Sequence, residues 1–251
     1  MMQITNTVKQ LLIINVIFYI GSMWVGDIAY DYLSLYYIDH PNFGFWQFLT
    51  HMFMHAKFPG ITHIVFNMLG LVMFGSALEQ LWGSQKFLFF YISSGLGAAL
   101  LHTGVNYYHF NQGLTILMEN GFTKEQILEV INRGEYLKSW ETLMPPNDLK
   151  NFIESYLIPA VGASGALYGI LVGFALSFPN ASLMMIFLPI PIKAKYFVPL
   201  IVASDLYMGI SGTSIFGGGG IAHFAHVGGA ITGLIMAWFW KKNEFDRHRW
   251  N

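Results

Sequence analysis

Gly162-Ala163-Ser164-Gly165-Ala166-Leu167-Tyr168-Gly169-Ile170-Leu171-Val172-Gly173-Phe174-Ala175-Leu176-Ser177-Phe178 is apolar from Ala166 onward, with Ser164 at its head. Gly165, Gly169 and Gly173 recur every fourth residue, which on a helix makes one smooth stripe. Further along, Ala225-His226-Val227-Gly228-Gly229 enters a second apolar stretch, and Ala225, Gly229 and Gly233 repeat the stripe. Small residues four apart let two helices in a membrane approach at backbone distance. Each stripe has a polar residue beside its first member, Ser164 next to Gly165 and His226 next to Ala225. Two helices packed on these stripes would bring hydroxyl and imidazole within hydrogen-bond range.

The rest of the chain supports a membrane setting. It is 54% hydrophobic, 17% aromatic and only 11% charged, where soluble domains carry about 25% charged residues. The expected class is all-α, a polytopic bundle of six transmembrane helices. Six windows are long and apolar enough to cross a bilayer: 8–27, 61–81, 86–107, 163–180, 195–212 and 222–240. The fourth is short, and Pro179, Pro189 and Pro191 mark a turn after it. A polar, helix-prone insert at about 109–157 separates the third and fourth windows, so the expected organisation is one membrane domain, 1–251, carrying an extramembrane insert. The first window has no A-x-A site after it and reads as a spanning helix rather than a cleavable leader. The absence of cysteine excludes disulfides, thiolate nucleophiles and cysteine-bound metal. A net charge of −1 gives no reason to expect nucleic acid.

Orientation follows from the basic residues, which resist translocation. Lys9, Lys86, the pair Lys193 and Lys195, and the group Lys241, Lys242, Arg247 and Arg249 fall on one side if there are six spans. Assigned to the cytoplasm, they leave both termini inside and place Ser164 and His226 near the outer face. The expected location is a bacterial inner membrane, with the active site opening outward.

Polar groups inside membrane spans are functional candidates by default. A serine with a histidine suggests acyl transfer to the hydroxyl, with His226 as general base and then general acid. Gly162 and Gly165 bracket Ser164, and a helix N-terminus favours a developing oxyanion. The tetrapeptide alone also fits a plain N-cap serine. Tyr168 lies one turn below Ser164, where its ring could stack on the imidazole. His63 and Asn67, four apart on the second helix, could donate to an oxyanion or simply cross-link helices. Asp205, in the fifth window, reads as a structural, hydrogen-bonded carboxylate, so the expected site is a dyad without an acid, and without metal or cofactor.

These residues together resemble the rhomboid family of intramembrane serine proteases. The match comprises Trp46, Thr50-His51 and His55 in the first loop; His63-x-x-x-Asn67; Gly75-x-x-x-Glu79-x-x-x-Gly83; Gly162-Ala163-Ser164-Gly165 with Tyr168; and Ala225-His226-x-x-Gly229-x-x-x-Gly233. The resemblance implies that Ser164 is the nucleophile and His226 the base. It implies an oxyanion hole of His63, Asn67 and the Ser164 N–H, with Tyr168 supporting the histidine. Implied substrates are single-span membrane proteins, cut near their outer ends at small residues. Gly217 to Gly220 would form a cap loop over the site. Three features depart from the family pattern: Gln47 stands where an arginine is common, Lys57-Phe58-Pro59-Gly60 widens the gap before His63, and the 109–157 insert exceeds a minimal core. Glu79 reads as a helix-linking acceptor, and Met52, Phe53, Met54 and Phe58 as a segment dipping into the membrane interface.

A catalytically silent rhomboid-like binder of membrane helices is the alternative reading. A channel or transporter ranks last, because the two halves of the chain show no repeat. The insert is expected on the outer face, beside the second and fifth helices, where it would act as an exosite or restrict which substrates enter.

Overall fold

A computed structural model describes residues 3–185, 188–212 and 222–247. The Gly217–Gly220 run lies outside the described residues. Helix α1 (Asn6–Val25) leads through a short α2 (Asp27–Leu33) into a loop holding α3 (Gln47–Thr50) and a 3-10 turn at His51–Phe53. The second long helix is α4 (Ile61–Gly70), a π turn at Leu71–Gly75 and α5 (Ser76–Trp82) in continuous succession. Then come α6 (Ser84–Glu119), α7 (Lys124–Asn132), α8 (Pro146–Leu157) and α9 (Ser164–Ser177). Beyond the hairpin described below, α10 (Ala194–Ser211) and α11 (Ala222–Arg247) complete the chain.

Helices occupy all six apolar windows. Among the described residues, Asn6–Val25, Ile61–Trp82 and Ser84–Glu119 are long and apolar enough to cross a membrane, and the apolar α9 is shorter at 14 residues. The third helix outruns its window by a third of its length. No proline breaks the chain between Tyr108 and Glu119, the single Gly113 is tolerated, and Gly121 follows the helix end, so the helix absorbs the start of the insert. The proline-rich turn after α9 also differs from an all-helical expectation. Strands β1 (Ser182–Met185) and β2 (Leu188–Lys193) pair there as an antiparallel hairpin, Ser182 opposite Lys193.

The bundle core is built on α9, α11 and α6. A Cβ on Gly229 would fall 2.7 Å from the Gly165 carbonyl carbon, and one on Gly233 would lie 2.6 Å from Gly169 Cα, so the two glycine stripes touch backbone to backbone. Around this seam Leu71, Leu78, Phe87, Phe90, Tyr91 and Ile170 are fully buried. At the far end of the second helix the buried Glu79 gathers four donors. The α1 amides of Thr7 and Val8 each donate at 2.9 Å, the Ser84 hydroxyl at 2.7 Å, and the Thr5 hydroxyl also donates. A carboxylate from another helix thus caps the free N–H groups that begin α1, where the helix dipole favours negative charge.

The insert builds a second core. Phe110 stacks on Phe152 and Tyr156 with ring centroids 5.2 and 5.1 Å apart, and Trp140, Ile127 and Ile131 close the cluster. Gly113 admits the close crossing of α8 over α6, since a Cβ there would lie 2.8 Å from Phe152 Cβ. Tyr37 of the first loop joins the stack, 4.7 Å from Phe110.

The first loop is pinned by side chains. Gln47, fully buried, donates to the Asn42 carbonyl at 2.7 Å and accepts the Tyr36 amide at 3.2 Å. Its neighbour Trp46 donates to the Tyr32 carbonyl at 2.7 Å. Met52 and Met54 are buried, packing in the bundle core and against Tyr30 respectively, which corrects their expected place at the interface; Phe58 is exposed.

Candidate active site

The glycine seam decides the geometry of the site. Ser164 opens α9 directly before Gly165, and His226 sits one turn into α11, one residue past Ala225. With the backbones in contact, His226 Nε2 lies 2.9 Å from Ser164 Oγ. The Tyr168 ring stacks on the imidazole, 4.3 Å between centroids and 9° from parallel. Ser164 and His226 border a cavity of about 530 Å³ whose walls include Ala98, Ala99 and Gly165.

Gly162 precedes the serine with φ +125°, a conformation that side chains rarely adopt. Its N–H donates to the His51 carbonyl at 2.9 Å, tying this segment to the first loop. Two residues earlier, Ala160 exchanges backbone hydrogen bonds with Leu35 at 2.8 and 3.0 Å. A Cβ on Gly162 would meet the His63 ring 2.9 Å from Nε2, so any side chain here would displace that imidazole.

His63 projects from the start of α4 into the cavity. The Ala56 backbone N–H donates to His63 Nδ1 at 3.1 Å. A neutral imidazole that accepts at Nδ1 carries its proton on Nε2, so His63 offers an N–H on the side facing Gly162 and Ser164. Asn67 behaves differently. Its side-chain N–H donates to the His63 carbonyl at 2.7 Å, back along its own helix, and it does not line the cavity. His51, in the first loop, does line the cavity, and burial pushes its imidazole down to about 4, so it is neutral there.

A carboxylate from α10 also reaches the serine–histidine pair. Asp205, buried, meets His226 Nδ1 at 3.2 Å through Oδ1, and the Tyr168 hydroxyl donates to its Oδ2. His223 Nδ1 also donates to Oδ1. Asp205, His223 and His226 bring atoms of metal-binding type within 4.8 Å of one another, and the hydrogen bonds employ Asp205 Oδ1 and the Nδ1 atoms of both histidines. The fifth window has no small-residue stripe, so no periodicity pointed Asp205 toward the seam.

The insert reaches the same cavity. Glu154 and Ile158, at the end of α8 and just past it, line its wall with Pro159 and Ala160. The other end of α8 abuts α10, where a Cβ on Gly212 would lie 3.7 Å from Asn147 Cγ. Burial raises the Glu154 carboxyl above its ordinary range, against the opposing pull of Lys150 3.9 Å away.

The chain is similar to known proteins over most of its length. The rhomboid domain family matches residues 42–123 and 130–243, from the first loop through α11. Rhomboid protease AarA of Providencia stuartii is 27% identical over 202 residues, 76% of this chain and 54% of that protein. The putative rhomboid protease YdcA of Bacillus subtilis (strain 168) is 29% identical over 154 residues, 59% of this chain and 73% of that protein. Rhomboid-like protein 11, chloroplastic, of Arabidopsis thaliana is 26% identical over 242 residues, 94% of this chain and 66% of its own length. The chain spans about half the length of AarA. Because the family match takes in the first loop, His63, Ser164 and His226 together, over well more than half of the sequence, this integral membrane helical bundle belongs to the rhomboid family.

Proposed function

We propose that the chain is an intramembrane serine endopeptidase that cuts transmembrane segments of other membrane proteins. The observation that carries this reading is the 2.9 Å contact between His226 Nε2 and Ser164 Oγ at a helix N-terminus bordering a cavity. His226 takes the Ser164 proton as the oxygen attacks a peptide carbonyl, and returns it to the leaving amine when the C–N bond breaks. A water molecule, deprotonated by the same imidazole, then releases the acyl group and restores the hydroxyl. The transient oxyanion would lie between the Ser164 backbone N–H and His63 Nε2–H, with the α9 dipole behind it. One such side-chain donor contributes about 3 kcal/mol to the transition state. The second N–H of Asn67 is the further donor in this reading.

The basic residues support six spans with both termini cytoplasmic in a bacterial inner membrane, the cavity opening outward. Single-span proteins are the substrates that this geometry suits, since a lone helix can unwind locally into a cavity walled by alanine and glycine. We read residues 1–251 as one membrane domain, with the insert at about 109–157 as a substrate-restricting exosite. Its contact with both the cavity wall and the end of α10 supports that role. Deleting the insert while keeping the fold should change which membrane substrates are cut more than it changes turnover of a generic peptide; unchanged selectivity refutes the exosite.

The test of the function is cleavage of a membrane-anchored reporter together with fluorophosphonate labelling. Ser164→Ala should abolish both, and His226→Ala should abolish labelling. Full cleavage by Ser164→Ala would overturn the nucleophile, and failure of the folded natural chain to label would favour a catalytically silent binder of membrane helices.

A further inference from the structure

We infer that Asp205 is a positioning residue for the base, so that the site works as a Ser164–His226–Asp205 relay rather than a bare pair. The inference rests on the proposed hydrolase reading and concerns α10, which supplies neither reacting group.

The His226 ring has two edges. One edge presents Nε2 to Ser164 Oγ at 2.9 Å, and the other presents Nδ1 to Asp205 Oδ1 at 3.2 Å. A carboxylate accepts hydrogen bonds and donates none, so the proton on neutral His226 belongs on Nδ1. That leaves a lone pair on Nε2, which is the form able to take the serine proton. Once the proton has moved, His226 is an imidazolium, and the nearby negative charge stabilises it without itself accepting the proton.

Asp205 is also held in place for the task. It is buried, and its two oxygens are employed: Oδ2 by the Tyr168 hydroxyl, and Oδ1 by His223 Nδ1 as well as His226. Tyr168 therefore fixes the imidazole twice, through its face by stacking and through its edge by way of Asp205. His223, three residues before His226 on the same helix, shares the carboxylate and limits its swing. Three helices, α9, α10 and α11, thus converge on one carboxylate.

The test uses the full chain in liposomes with a membrane-anchored reporter. Asp205→Asn can offer its amide N–H to Nδ1 and so favour the unproductive tautomer. It should lower kcat about 10²- to 10⁴-fold, with KM within about twofold and the melting temperature unchanged. Asp205→Glu should recover part of kcat. If Asp205 only holds α10 on the bundle, Asn should lower the melting temperature instead and leave kcat within about threefold, and that result overturns the inference. Nitrogen-15 spectra of the unaltered protein give a measurement that needs no variant. A proton on His226 Nδ1 is expected, and a proton on Nε2 overturns the assignment. Loss of activity on chelator treatment would overturn it too, by making the three residues a metal site. A dead Ser164→Ala beside a fully active Asp205→Asn would leave the hydrolase standing and remove only the relay.

Discussion

Gly229→Ala adds one methyl group at the seam on which the site depends. The new Cβ would fall 2.7 Å from Gly165 C and 3.3 Å from Gly165 Cα, with the Gly165 carbonyl oxygen closer still. Relaxed carbon–carbon contacts lie at about 3.5–4.0 Å, so α9 and α11 must part by about 1 Å. The obstacle is backbone on both sides, and no rotamer change can absorb it. Gly165 adjoins Ser164 and Gly229 lies three residues past His226, so the separation passes directly to the 2.9 Å contact. Lengthened by about 1 Å, that contact leaves the 2.6–3.2 Å range in which a base takes a proton. A misplacement of about 1 Å costs about 10²-fold in rate, and overpacking about 1–3 kcal/mol in stability. The expected result is a folded, slightly less stable protein whose reporter cleavage falls by about two orders of magnitude. Gly104→Ala is the control, since its Cβ meets nothing within 4 Å. Cleavage by folded Gly229→Ala within about threefold of the unaltered chain would refute the claim that backbone contact sets the serine–histidine distance.

Two further outcomes follow from charged groups away from the seam. Glu79→Ala strands the Thr7 and Val8 amides at the start of α1 and should cost about 2–4 kcal/mol of stability, read as a lower melting temperature with kcat retained below it. Glu154→Gln tests the raised carboxyl of the insert. A carboxyl raised by folding stabilises the fold below its unfolded pKa, and that contribution is lost as pH rises through the folded value. Gln should therefore raise the melting temperature at neutral pH and leave it unchanged in acid; equal melting at both pH values would remove burial as the cause.

What could be read from the sequence divides along physical lines. The α9–α11 seam was legible because close backbone approach demands small residues at fixed spacing, and Gly165, Gly169, Ala225, Gly229 and Gly233 record it. The stacking of Tyr168 followed from the helical repeat. Asp205 reads as structural in the sequence because α10 reaches the site through single polar contacts that leave no periodic trace. The extension of the third helix to Glu119 was hidden by polarity, since the segment leaves the apolar window yet gains a partner in α8. Gln47 stood out only as a missing arginine, and its role appears once the carbonyl of Asn42 and the amide of Tyr36 surround it. Asn67 shared a face with His63 in the sequence, but its amide turns along its own helix.

The Ala56 amide has a consequence out of proportion to its size. It belongs to an irregular stretch of main chain, yet by giving its hydrogen to His63 it chooses which ring nitrogen keeps the proton. Withdrawing that one peptide group would free the ring to exchange tautomers and turn a donor into an acceptor at the proposed oxyanion position. Strain introduced at Lys57 to Gly60 would therefore slow the chemistry while serine and base stood undisturbed.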